Sequence, residues 1–415
     1  MTYQPTFFKQ LFHSSRRLLA ERWLSLMPTT QIAITGSQGK TNTSSTLYQL
    51  LSSIAPVVRT DIDLDTVYNV PITALKTNPW IKYTIFELGI DRPGEMDRHL
   101  EIVNPKITVI TGISPVHTDT QHLGSLDALI KEKRKLIEIL SRDGFAVLNG
   151  DDKNTVAMAP FTKARVIMYG KNDNNDIQAS KITVSLEGIQ FDMYDKIKNV
   201  SFQIKSPLIG LHHIYTIMAC FSVYRALGFT DFNRFQQIVS KLTPLKGRMS
   251  LEKGPMGTML LDDSLRANPA STVSGLETLS EIYYKKGSKI AVLAEMGELA
   301  EPEAEHATLG KHIAGLKIDF VVTIGALHKY TVDHAIKNKF PEKNIYVADD
   351  VIDASTLLNK IIKKNDLLYL KGSFLRKVER IPMILNAEKV GCKILVCPFY
   401  HHCNDCKYKE IGFKK

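Results

Sequence analysis

Thr-Gly-Ser-Gln-Gly-Lys-Thr-Asn-Thr occupies residues 35–43, directly after the apolar run Ile32-Ala33-Ile34. A short buried strand, a glycine turn and a Lys-Thr pair opening a helix make a cradle for phosphate. Gly36 and Gly39 let the backbone curl, so that the loop running through Ser37, Gln38, Lys40, Thr41 and Asn42 aims its amides at phosphate oxygens. Lys40 adds a positive charge and Thr41 offers a hydroxyl to Mg²⁺. The helix beginning near Asn42 adds the positive end of its dipole. The loop is shorter than the usual G-x-x-x-x-G-K-[ST] form. The plainer alternative is a glycine turn with a surface lysine, but the preceding strand and the Thr-rich helix start favour the cradle. The stretch predicts a central P-loop-type, mostly parallel sheet and a chain that binds ATP.

Outward from this loop, short apolar runs alternate with helical patterns. Ile32–Ile34, Tyr83–Phe86, Ile107–Ile110 and Ala146–Leu148 read as buried strands, with helices at 43–54, 125–140 and 212–227. That alternation is βαβ arithmetic and predicts an α/β fold. Residues 172–206 alternate polar and apolar like an antiparallel region. A second α/β unit follows Gly247, with strands expected at Met259–Leu261, Ile290–Leu293, Phe320–Ile324, Asn344–Val347 and Leu367–Leu370. Helices fall at 269–285, 303–316, 328–339 and 351–364, a Rossmann-like pattern. The expected organisation is an N-terminal amphipathic helix (1–30), a central ATP-binding domain (31–247), a C-terminal Rossmann-like domain (248–390) and a Cys-rich basic tail (391–415).

The totals fit. A chain of 415 residues exceeds one core. Its 44% hydrophobic and 23% charged residues suit a soluble globular protein. No uncharged apolar run reaches about 18 residues, which predicts no spanning helix. No signal-peptide pattern opens the chain, which points to the cytoplasm. The net charge of +10 suits polyanions such as nucleotides, and also nucleic acid or an anionic membrane surface. Nucleic acid is not expected as a partner, because the lysines are spread without an aromatic-basic reading motif. In the N-terminal helix Leu11, Leu18, Leu19, Trp23 and Leu26 are apolar and Arg16, Arg17 and Arg22 polar. A basic amphipathic helix lies on membranes or, more commonly, caps a neighbouring domain.

Three further segments carry candidate chemistry. Glu87, in Phe86-Glu87-Leu88-Gly89, sits at a strand's carboxyl end, where open α/β sheets bind ligands. It is a candidate Mg²⁺ ligand beside the phosphates. His117 follows the strand at 107–110 and is equally a metal ligand or a core histidine. A helix then carries Lys131, Lys133 and Lys135, ordinarily a solvated face, ahead of Asn149-Gly150-Asp151-Asp152. Asp262-Asp263 opens the second unit ahead of Asn268-Pro269; the pair reads as a polar site lip or as a helix cap.

In this order the motifs resemble the Mur ligase family, the peptide-forming enzymes of cell-wall precursor synthesis. The nearest branch adds D-alanyl-D-alanine to a UDP-muramoyl tripeptide. The resemblance covers roughly residues 31–385. It rests on Thr35–Thr43, Val70–Leu75, Glu87-Leu88-Gly89 with Gly94-Glu95, His117, Gly124-Ser125-Leu126 and Lys133. Asn149–Asp152, Gly247-Arg248, Asp262–Pro269, Ala294–Leu299 with His306, and Lys371-Gly372-Ser373 complete it. It implies that Lys40 and the loop amides hold the phosphates of ATP, and that Thr41, Glu87 and His117 hold Mg²⁺. Lys133, with Lys131 as the nearby alternative, is implied to carry a CO₂-derived carbamate. Arg248 is placed at a hinge near the phosphates, His212 in the adenine-contacting helix, Asp262 and Asn268 near ribose and phosphate, and Lys371 and Ser373 near the incoming amine. The implied reaction activates a substrate carboxylate as an acyl phosphate for attack by an amino acid or dipeptide amine.

The chain also departs from the pattern. The family normally begins with a separate UDP-sugar-gripping domain of about a hundred residues, whereas a short segment precedes the loop here. A different acceptor, or a partner protein supplying the grip, is the expectation. The family's Gly-x-His-Asn-x-x-Asn helix reads Gly210-Leu211-His212-His213-Ile214-Tyr215-Thr216, and its Thr-Asn-Ile reads Thr111-Gly112-Ile113. The tail adds Cys392, Cys397, Cys403 and Cys406, a candidate Zn²⁺ or iron–sulfur site with His401 and His402 as substitutes. Two alternatives stand beside the ligase: a folylpolyglutamate-type ligase and a non-catalytic nucleotide-binding scaffold.

Overall fold

In the computed structural model, which describes residues 7–61, 66–114, 123–297, 299, 301–399 and 401–413, Ile32–Ile34 lies inside a nine-stranded sheet. Its strands are β1 Thr30–Thr35, β2 Val57–Arg59, β3 Tyr83–Glu87, β4 Ile107–Ile110, β5 Phe145–Asn149, β6 Arg165–Gly170, β7 Ile177–Ser185, β8 Gly188–Asp195 and β9 Val200–Ser206. Their order is β2-β3-β1-β4-β5-β6-β7-β8-β9. Pairing is parallel from β2 to β7. Only two residues join β7 to its neighbour β8; a parallel crossover needs a dozen or so, so this pair is an antiparallel hairpin. Residues 32–35 of β1 and all of β4 are buried, as expected of parallel strands covered on both faces. On one face Phe86, Ile110 and Leu148 pack with Leu129, Leu136 and Ile137 of the helix Leu126–Glu138. The helix His212–Ala226 packs on the helix Lys40–Ser52, bringing the Cys220 thiol within 3.7 Å of the Thr43 carbonyl.

The N-terminal helix spans Phe7–Ser25 and packs on the helix Thr66–Lys76. Its buried side is not the expected one. Ala20 and Leu24 enter the core, while Leu18, Leu19 and Leu26 are exposed. Trp23 Nε1 donates to the Thr77 carbonyl at 2.6 Å, and Arg17 pairs with Glu101 at 2.8 Å. Small Ala20 lets the helix approach closely, which a count of large apolar residues does not anticipate.

The second sheet has β10 Ser250–Lys253, β11 Met259–Asp263, β12 Lys289–Ala294, β13 Phe320–Ile324, β14 Ile345–Ala348 and β15 Leu367–Lys371, in the order β10-β11-β15-β12-β13-β14. All pairs are parallel except β10 with β11. Alternate residues feed two cores. Leu261, Ala291, Leu293 and Tyr369 go to one face; Leu260, Ile290, Val292, Leu368 and Leu370 go to the other. The chain's packing divides it into two compact units, Met1–Ile182 with Gln190–Ser206 and His212–Leu242, and Thr183–Ile189 with Pro207–Leu211 and Thr243–Lys415. The division is not a single cut in the sequence.

The tail is docked on the second unit. The fully buried Arg380 donates to the carbonyls of Cys392 and Ile394 at 2.5 and 2.6 Å. Phe399 stacks on Tyr408, and Phe413 meets both rings edge-on. Among the described residues no helix is long and apolar enough to cross a membrane.

Candidate active site

β1 lies between β3 and β4, with Ile34 opposite Glu87 and Thr35 opposite Ile110. Three chain segments therefore leave the sheet side by side at its carboxyl edge. They are the Gly36 loop, Glu87-Leu88 and Thr111-Gly112. Gly36 has φ +150°, and a Cβ there would lie 2.1 Å from Thr111 Oγ1 and 3.0 Å from the Gly112 carbonyl. Only glycine fits so close a crossing. Gly39, at φ 81°, caps the helix, which starts at Lys40, two to three residues earlier than expected.

The loop is braced from its neighbours. Ser37 N donates to the Gly112 carbonyl at 2.8 Å, and Ser37 Oγ donates to the Ser114 carbonyl at 2.8 Å. Thr111 Oγ1 donates to the Gln38 carbonyl. Asn42 is buried at the helix start. Within this frame Lys40 Nζ donates to the Gly36 carbonyl at 2.7 Å, and Thr41 Oγ1 donates to Glu87 Oε1 at 2.9 Å.

Lys133 joins the loop from the helix Leu126–Glu138, which connects β4 to β5. Its side chain is 2% exposed and its ammonium donates to the same Gly36 carbonyl at 3.0 Å. The three lysines of this helix part company: Lys131 is exposed, and Lys135 pairs with Asp97 and Glu132, both at 2.7 Å. Of the three, Lys133 is the one that donates to the loop. The structure thus gathers Gly36, Lys40, Thr41, Glu87 and Lys133. His117 lies outside the described residues.

The Asn149–Asp152 segment is the bracket that holds this edge. Asn149 Nδ2 donates to the Thr111 carbonyl at 3.0 Å, and Asp152 accepts from Ile113 N and caps the next helix through Asn154 N. Asp151 accepts from Tyr215 OH at 2.9 Å, Lys171 N at 2.6 Å, Asn172 N at 3.1 Å and Asn175 Nδ2 at 3.0 Å. Burial alone would raise the Asp151 pKa, but these donors outweigh it and hold the carboxyl below its ordinary range. Tyr215, lying between His213 and Thr216, which stand where the family pattern has asparagine, is thereby fixed. His212 begins the same helix, its ring 4.1 Å from that of His213. The roles of Thr111, Gly112 and Asp151 as braces were not anticipated. The unusual Thr111-Gly112 pair was their one signal, since Gly112 too has positive φ, at 147°.

In the second unit the expected residues take mainly structural posts. Lys371 is 1% exposed and pairs with Asp263 at 2.7 Å, while Tyr369 OH donates to the same carboxylate at 3.0 Å. Burial lowers the Lys371 pKa against the pull of Asp263. Lys371, implied to lie near the incoming amine, has its ammonium enclosed against Asp263, which β11–β15 register sets opposite it. Ser373, two residues on, is half-buried. Asp262 accepts from Ser264 N at 3.1 Å and burial raises its pKa. Asn268 caps the helix Pro269–Glu281, exchanging bonds with Ser271 at 2.9 and 3.1 Å. Arg248 is half-buried. Beside these, His306 accepts from Met296 N at 3.3 Å and donates from Nδ1 to the Pro302 carbonyl at 2.7 Å, which fixes a neutral imidazole.

The tail cysteines do not form the expected metal site. All five cysteines of the chain are unbridged, with Cys392, Cys397 and Cys403 buried and Cys406 half-buried. Burial pushes the Cys403 thiol up to about 12. Among the described residues no group of three or more His, Cys, Asp or Glu is arranged to hold a metal ion.

Comparison with known proteins places the chain's two main segments in known families. Residues 34–224 match the model of the Mur ligase middle domain, and residues 247–374 that of the Mur ligase glutamate ligase domain. The UDP-N-acetylmuramoyl-tripeptide–D-alanyl-D-alanine ligase of Bacillus subtilis is 28% identical over 364 residues, covering 88% of this chain and 77% of its own. The MurF ligase of Thermotoga maritima, solved in complex with ADP, superimposes with a TM-score of 0.79 at 22% identity, covering 91% of this chain and 84% of that one. A folylpolyglutamate synthase of Mycobacterium tuberculosis, also with ADP, is more distant at TM-score 0.65 and 16% identity, covering 86% and 91%.

Proposed function

The chain belongs to the Mur ligase family, and from that premise we infer that it is an ATP-dependent carbon–nitrogen ligase of cell-wall precursor synthesis. It joins D-alanyl-D-alanine, or a similar amine, to a muramoyl-peptide carboxylate. The observation that carries this reading is the convergence of Lys40, Lys133 and the Thr41–Glu87 pair on one glycine loop at the carboxyl edge of a parallel sheet.

A carboxylate is a poor acyl donor. Transfer of the γ-phosphoryl group of ATP to it gives an acyl phosphate and ADP; the amine attacks the acyl carbon, the amide bond forms and phosphate leaves. Lys40 and the amides of the loop hold the phosphates and offset their charge. The Ser37 amide is spent on Gly112, so the grip falls to the turn at Gly39 and the start of the helix. The donor set suits Mg²⁺, because Thr41 offers a hydroxyl and Glu87 a carboxylate oxygen side by side, both hard oxygen ligands. When bound, that ion would neutralise phosphate charge and polarise the transferring group. Lys133 is the candidate for carbamylation: the added carboxylate would turn a buried cation beside the loop into an anion able to organise a metal.

The folylpolyglutamate-type alternative ranks behind this reading, as the more distant likeness. The test is phosphate release with UDP-N-acetylmuramoyl-tripeptide and D-alanyl-D-alanine. Release that requires both substrates supports it; equal release with either alone refutes it.

A further inference from the structure

We propose that the outer face of the N-terminal helix is a docking surface for anionic lipid, seating the chain on a membrane without crossing it. Phe12, Leu19 and Leu26 recur every seven residues, so they line up along one side of the helix and its immediate extension. They are 63%, 61% and 75% exposed. Trp23, four residues beyond Leu19, borders the line and is tied through its indole N–H to Thr77. That bond joins the stripe to a second exposed element, where Leu75, Lys76, Trp80 and Lys82 stand on the surface, Trp80 80% exposed.

The opposite side of the helix is already used, with Ala20 and Leu24 in the core. The stripe is therefore surplus to folding. Its charge selects the occupant. Exposed Arg22 flanks it on one side and Arg16, lying over the Phe12 ring at 5.7 Å, on the other. Glu21 is the only carboxylate in Phe7–Ser25, and at 3.6 residues per turn it sits about 160° around the helix from Leu19. An apolar stripe with aromatic edges, cationic flanks and no acid is what an anionic lipid interface accepts. A protein partner of comparable apolar area offers no reason for the one-signed rim.

The chain supplies its own probe. Its two tryptophans are Trp23 and Trp80, both on this surface. The full chain is mixed with vesicles of phosphatidylcholine, with or without about a third phosphatidylglycerol, and followed by tryptophan emission and co-sedimentation. Emission should shift to the blue and protein should sediment only with the anionic vesicles. Added salt should weaken both. The double variant Leu19→Ser/Leu26→Ser should lose the shift, and Arg22→Glu should weaken binding by about fivefold or more. Thermal unfolding and phosphate release in solution should not change in either variant. Absence of sedimentation at low salt, equal binding to pure phosphatidylcholine, or undiminished binding by the double variant would overturn the proposal. So would lipid-free dimerisation abolished by the double variant, which would make the stripe an interface between copies.

Discussion

Lys40 and Lys133 meet at one atom: both ammonium groups donate to the carbonyl oxygen of Gly36, at 2.7 and 3.0 Å. A neutral carbonyl oxygen offsets neither charge, so a phosphate beside Lys40, or a carbamate formed on Lys133, would find a favourable position at this point.

Removing the Lys40 charge should therefore abolish phosphoryl transfer and leave the fold intact. In Lys40→Ala, phosphate release should fall by at least about a hundredfold, with an unchanged circular dichroism spectrum. Undiminished turnover would sink the assignment of this loop to ATP.

Lys133→Ala should be similarly inactive and partly rescued by short carboxylates such as acetate, which restore the charge a carbamate supplies. Omitting CO₂ from wild-type assays should mimic the variant. A variant as active as wild type, or rescue by amines and not by acids, would contradict carbamylation.

Glu87→Gln keeps the hydrogen bond from Thr41 but removes the charge beside it. Its Mg²⁺ requirement for phosphate release should rise by about tenfold or more, while the ATP dependence at saturating Mg²⁺ changes less. An unshifted Mg²⁺ titration would take Glu87 out of the metal's reach.

The sequence disclosed the loop, the strand ends and the alternation of both sheets because these rest on local patterns. Ile32–Ile34 is apolar and continuous since β1 is covered on both faces. β2 escaped notice because it has three half-buried residues, and the helix Thr66–Lys76 because Pro71 stands inside it. The exposed face of the N-terminal helix was misjudged because the neighbour that buries Ala20 and Leu24 is distant in sequence. The enclosure of Lys371 by Asp263 is set by register between strands over a hundred residues apart, which no local pattern encodes. The cysteine spacing suggested a ligand set, but spacing does not fix where sulfurs point.

Acid should destabilise the second unit through its buried histidines. His328 is fully enclosed and burial pushes its pKa down to about 3 from 6.5; burial lowers that of His306 as well. The unfolded chain takes up the proton first, so stability is complete above pH 6.5 and is lost as pH falls toward 3. For His328 alone the slope approaches about 1.4 kcal/mol per pH unit. Denaturant unfolding of His328→Gln across this range should show a shallower loss than wild type; parallel curves would refute the assignment.

The most direct measurement of the central claim is a coupled count of products. Purified protein is given ATP, Mg²⁺, UDP-N-acetylmuramoyl-tripeptide and D-alanyl-D-alanine, and ADP, phosphate and new amide are quantified together. The account predicts equal amounts of all three, and none when the peptide carboxylate or the amine is left out. Phosphate released without amide, or no ADP formed with either this pair or related carboxylate and amine pairs, would contradict it.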